Sequence, residues 1–249
     1  QNTAYEIGVR LVGSEMCIRD RFQDFPLDQR WKAAHVEKVM PCNWKLALEA
    51  FIESYHIGVT HPQTAAYVAD ANTQYDIFPG SRHVNRMITL EGIPSPNLRD
   101  VPAEETIRKM QRDVPFHGGA PIVPQEGDRV RELLAARARE KLGASAQADM
   151  SRLSTSETLD AIEYFLFPNF VPWGGQGVPI CYRFRPNGND PQTSIMEIML
   201  LFAHPDEGSP PPPAPPPPPS PVWPAPFSPS VPGVPAVALP VLIPTDPTP

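Results

Sequence analysis

Cysteine is scarce in this chain. Its 249 residues hold three, Cys17, Cys42 and Cys181, each isolated, which rules out a disulfide framework and fits a reducing, cytoplasmic setting. No Cys-x-His is followed by a Cys-x-x-His, so the chain cannot hold a [2Fe–2S] cluster through two cysteines and two histidines. Basic residues are also few: 21 Lys and Arg against 28 Asp and Glu give a formal charge of −7, with no basic cluster. That excludes a nucleic-acid surface as an expected partner. No window of about 20 apolar residues occurs to span a bilayer as a helix, so no membrane partner is expected either.

Proline is the opposite case. Of 35 prolines, 19 fall in the 41 residues from 209 to 249, where Asp246 is the only charge. Those residues read as a Pro-rich tail, disordered or frame-shifted, because proline forbids a continuous helix. At the other end, Tyr5 to Arg21 resembles a translated sequencing adaptor, and residues 1–21 are set aside as an artefactual leader. The expected folded part is residues 22–208, with 41% hydrophobic residues in the whole chain to build a core.

Within it, Asn43 to Pro62 (NWKLALEAFIESYHIGVTHP) gathers a carboxylate and two imidazoles. Leu46, Leu48, Ala50, Phe51, Ile52 and Ile57 predict a mostly buried helix up to Gly58. At 100° per residue, Glu53 and His56 share a face, whereas His61 falls about 140° from His56 on an unbroken helix. Gly58, the β-branched Val59 and Thr60, and Pro62 supply a break that can return His61 toward His56. Two neutral imidazoles with a carboxylate suit a first-row metal, although structural histidine pairs share the same spacing.

The string Asn43-Trp44-Lys45 followed by Glu53-x-x-His56-x-x-x-x-His61-Pro62 resembles the mononuclear-iron segment of the large (alpha) subunit of Rieske-type aromatic ring-hydroxylating oxygenases. A second stretch agrees in the same order: Tyr164-Phe-Leu-Phe-Pro-Asn-Phe170, then Tyr182-Arg-Phe-Arg-Pro-Asn-Gly188. The resemblance implies that His56 and His61 ligate Fe(II) and that Glu53 links this ion to the Rieske cluster of a neighbouring subunit. The family usually has Asp where Glu53 stands. Its third ligand, an Asp in a later helix, is expected to be missing, because that region is here the Pro-rich tail.

The remaining chain reads as short elements. A strand is expected over Ala33–Met40, a polar connection over 63–82, and a strand over His83–Leu90. Pro102, Glu104 and Glu105 open one helix, and Gly127–Leu142 form a longer one with its charges on a solvated face. Ser154 and Glu157 match a capping box. Glu163–Phe170, Ile180–Arg185 and Thr193–Phe202 then predict an antiparallel meander, with Pro168 marking an edge or a bulge.

Helices and strands segregate along the chain, which predicts an α+β class. The resemblance narrows this to a helix-grip fold, a curved antiparallel sheet with helices over one face and the C-terminal part missing. It further implies O2-dependent hydroxylation of an aromatic or other apolar substrate, as in aromatic hydrocarbon catabolism. Electrons would come from an NAD(P)H-dependent reductase, with or without a ferredoxin, and the whole protein would be a homotrimer or an alpha/beta hetero-oligomer. Phe51, Tyr55, Phe165 and Phe167 are the expected pocket lining. The competing class is a non-catalytic helix-grip module that binds a hydrophobic ligand. A zinc hydrolase lacks a general base placed as in His-Glu-x-x-His.

Overall fold

The computed structural model describes Phe22, Leu27 and residues 30–78, 81–114, 117–146, 150–174 and 180–203. The expected leader and most of the expected tail lie outside these residues.

Seven strands, five α-helices and a 3-10 turn at Pro62–Thr64 occur among the described residues, the strands and α-helices in this chain order: β1 (Arg30–Met40), α1 (Trp44–Glu49), α2 (Ile57–Thr60), β2 (Val68–Ile77), β3 (Val84–Glu91), α3 (Ala103–Asp113), α4 (Val130–Ala146), α5 (Thr155–Leu159), β4 (Ala161–Leu166), β5 (Phe170–Pro172), β6 (Ile180–Asn187) and β7 (Asp190–Ala203). The strands form one open sheet in the order β1-β7-β6-β5-β4-β3-β2. This is an α+β fold, and β4 to β7 are the expected meander.

The chain divides into two compact units, and the described parts of the first run to Ile52, over Gln74–Ile88 and from Ile162. Its centre is β7, paired antiparallel with β1 on one side and β6 on the other. The hairpin from β6 to β7 turns at Gly188, whose φ of 58° is the left-handed conformation that glycine tolerates without strain. In register, Ile180, Tyr182 and Phe184 face Leu200, Ile198 and Met196 across the pair. Five of those six are buried, so this apolar face of the pair turns inward. Against that face α1 buries Ala47 and Leu48, and the Phe51 ring packs 4.8 Å from Tyr182 and 5.2 Å from Phe184.

The second unit comprises Glu53–Thr73 and Thr89–Ala161. The first turn of α3 carries Glu104 and Glu105, where they complement the helix dipole. The helix buries Ile107 and Met110, and α4 buries Leu134, Ala135 and Ala138. Burying a side chain such as Ile107 contributes about 2 kcal/mol. α5 begins on the expected capping box, with reciprocal Ser154 and Glu157 bonds.

Three expectations need correction. Residues 63–82 are not a polar connection, because β2 occupies half of them. Its alternation of Asp70, Asn72, Gln74 and Asp76 with Ala71, Thr73, Tyr75 and Ile77 is a period-two signal carried by polar residues. The buried helix expected to reach Gly58 stops at Glu49, and Leu46 is 59% exposed. Beyond it, side chains capture backbone groups that a helix would use: the His56 amide donates to Glu53 Oε2 at 3.1 Å. Finally, Pro168 lies in the turn between β4 and β5, which separates a run read as one strand into two.

Candidate functional site

Asn43 starts the segment. Its side chain accepts from the Lys45 amide at 3.0 Å, capping α1, and donates to the Pro191 carbonyl at 3.2 Å, which fastens the helix start to β7. The chain then leaves α1 and enters a sequence of tight turns that holds Glu53, Ser54 and His56. Ser54 is buried and its hydroxyl donates to the Asp70 carbonyl at 2.9 Å, tying this turn to β2.

Glu53 and His56 meet across three residues. Glu53 Oε1 lies 2.5 Å from His56 Nδ1. A carboxylate that accepts from Nδ1 fixes the tautomer that leaves Nε2 free, which is the outer-sphere arrangement usual for metal-binding histidines.

α2 is a single turn between the two imidazoles, with His56 at its N-cap and His61 at its C-cap. His61 leaves helical geometry at φ −126° and ψ 49°, and Pro62 follows it. Of the break predicted at Gly58 to Pro62, only the His61–Pro62 step leaves helical geometry, while Gly58 to Thr60 lie inside α2. The two rings come within 5.2 Å, centroid to centroid, at 76° to each other. Two imidazoles bound to one ion at about 2.1 Å have ring centres roughly 4.5–5.2 Å apart. His61 is only 3% exposed. Burial, and then the neighbouring His56, hold it below the usual imidazole range and so in the neutral form a metal requires.

Asp70 is the residue that sequence reasoning missed. It is 6% exposed and its Oδ1 has no hydrogen-bond partner, while its backbone carbonyl accepts from both Ser54 and Thr73. Its Oδ2 lies 3.6 Å from where a Cβ on Gly58 would sit, against the α2 turn between the histidines. An unpaired buried carboxylate oxygen is costly, and a cation is what relieves it. The two imidazoles at the ends of that turn fit a divalent first-row ion.

All four expected pocket residues are described. Phe51 is packed on Tyr182 and Phe184, and Phe165 is half-buried on β4. Tyr55 is 79% exposed, and the exposed Phe167 ring lies 5.7 Å from the His83 ring.

Among the described residues, one trio brings three metal-capable atoms within 4.8 Å of one another, and it is His35, Glu37 and Glu197 rather than Glu53, His56 and His61. Glu197 is occupied, however. Arg183 binds both its oxygens, Arg185 reaches Oε2 at 3.3 Å and His35 Nε2 reaches Oε1 at 3.1 Å. Burial pushes this carboxyl up, but the Arg183 hydrogen bonds and charge, with Arg185 and His35, outweigh it and hold the group at about 2. Two guanidiniums would repel an incoming cation, so the trio is a charge ladder across β1, β7 and β6.

Comparison with known proteins adds the following. The profile of the family described as "Ring hydroxylating alpha subunit (catalytic domain)" matches residues 27–212. No curated protein matches the chain. Among solved structures, the chain is similar to a quaternary ammonium Rieske monooxygenase described in connection with carnitine oxidation and inter-subunit electron transfer. The two share 12% identity over 80% of this chain and 38% of that one, with a TM-score of 0.42. It is also similar to naphthalene 1,2-dioxygenase with indole bound, at 13% identity over 83% of this chain and 42% of that one, with a TM-score of 0.40. The chain thus spans about two fifths of the length of these two structures.

Proposed function

Because the chain belongs to the ring-hydroxylating alpha-subunit family, matching its catalytic domain over residues 27–212, we propose that His56 and His61 hold a mononuclear Fe(II) ion serving O2-dependent hydroxylation of an aromatic or other apolar substrate. The observation that carries this reading is the arrangement of Glu53 on His56 Nδ1 with the His61 ring 5.2 Å from the His56 ring. When bound, the iron supplies open coordination positions at which dioxygen is reduced beside the substrate.

The chain's own residues do the rest. Glu53 keeps a proton on His56 Nδ1 and turns the other ring nitrogen toward the ion. By family resemblance it is also the link to a [2Fe–2S] Rieske cluster in a neighbouring subunit, whose ligands this chain does not contain. His61, nearly inaccessible to water, offers a neutral nitrogen. Phe51, Tyr55, Phe165 and Phe167 are the proposed apolar lining. The proposed partners are an NAD(P)H-dependent reductase, with or without a ferredoxin, and further subunits in a homotrimer or an alpha/beta assembly. Among the described residues, no helix is long and apolar enough to cross a membrane.

Anaerobic Fe(II) titration of the full chain tests the reading. One equivalent should bind, at least tenfold more weakly in His56→Ala and in His61→Ala. Binding indifferent to both substitutions would overturn it.

A further inference from the structure

We propose that Asp70 is the charge partner of the ion held by His56 and His61: a buried acid on β2, placed against the α2 turn that joins the two ligands. The inference rests on the iron reading above.

Three observations carry it. The side chain is almost wholly buried, and Oδ1 has no hydrogen-bond partner. No Lys, Arg or His among the described residues forms an ion pair with it. The carboxylate is not adrift, since Ser54 and Thr73 both bond the Asp70 carbonyl and Oδ2 lies against Gly58. A fixed, buried carboxylate without a protein cation lowers the metal-free stability of its own fold. The same charge favours a divalent cation nearby, because two neutral imidazoles bring none of the negative charge that such an ion attracts. Asp70 acts across space rather than as a third ligand atom, since no set of His56, His61 and Asp70 has its atoms all within 4.8 Å.

The two possible roles of Asp70 have opposite signatures. A charge partner replaced by its neutral isostere, Asp70→Asn, weakens metal binding while leaving the metal-free protein as stable as before or more so. A structural acid does the reverse. The experiment titrates the full chain with Co(II), followed by its visible absorption, and melts the metal-free protein in parallel. At least tenfold weaker Co(II) binding in Asp70→Asn, with an unchanged or higher melting temperature, is the expected result. Unchanged affinity overturns the proposal whatever the melting temperature does. If affinity and melting temperature both fall, Ser54→Ala decides, because it loosens the same segment without altering charge. Affinity within twofold of wild type in Ser54→Ala supports the charge role, and a loss matching that of Asp70→Asn overturns it. His56→Ala separates this proposal from its premise: Co(II) binding that survives His56→Ala removes the iron reading itself.

Discussion

Glu53 and His56 form a closed unit in which one carboxylate oxygen meets the ring Nδ1 at 2.5 Å and the other accepts the His56 amide at 3.1 Å. The side chain that orients the imidazole also replaces a helical hydrogen bond. One carboxylate therefore fixes both the ring and the backbone of the residue that opens α2.

Glu53→Gln keeps an acceptor near Nδ1 but removes the charge that makes the imidazole a better donor to the ion. Fe(II) or Co(II) affinity should fall about tenfold, the low end for an outer-sphere partner of a metal-binding histidine. Calorimetric titration of the variant against wild type measures it, and an affinity within twofold would show that the pair only fixes the turn before α2.

Glu197 is 1% exposed and satisfied by Arg183, Arg185 and His35. Replacing it with Ala leaves two guanidiniums facing each other, partly relieved by their own exposure. Urea unfolding should show a loss of about 3 kcal/mol. Its folded carboxyl is held at about 2 from an ordinary 4.5, so its stabilisation is present above 4.5 and disappears as pH falls through 2.

His117 carries a different acid sensitivity. Burial, and to a lesser extent the charge of Arg137, lower its imidazole from 6.5 to about 4, against an opposing backbone hydrogen bond at Leu134. The folded state keeps this ring neutral while the unfolded chain protonates it, so stability is lost as pH falls from 6.5 toward 4. His117→Gln should flatten the melting temperature over that window.

Glu91 works in the opposite direction. The residue is half-buried with its carboxyl end shielded. Burial and the Asp160 charge push that group up to about 8, against the opposing charge of Arg131. The folded state holds a proton that the unfolded chain releases above 4.5, so this contribution is full below 4.5 and gone once pH passes 8. Melting curves of Glu91→Gln should decline less between pH 6 and 9 than those of wild type.

Much of this was legible from residue order. Asn187 and Gly188 announce the β6–β7 hairpin, and Ser154 with Glu157 announce α5, because turns and caps are local chemistry. The departure from helical geometry at His61 was legible for the same reason, since Pro62 follows it, whereas Gly58 lies inside α2. Asp70 was not. Nothing in Val68-Ala69-Asp70-Ala71 marks an acid as buried, and only the return of β2 past the α2 turn removes it from water. The length of α1 was misread because apolar periodicity does not record where a helix tightens and stops, here with the Phe51 and Ile52 amides bonded back to Leu48 and Glu49.

Glu53, Ser54, His56, Gly58, His61 and Asp70 all lie within one uninterrupted run of 18 residues. A centre assembled from such near neighbours closes only a small loop, at an entropic cost growing slowly with its length. Its geometry can form before distant strands have found each other. The proposed centre therefore draws every one of its groups from a single short segment.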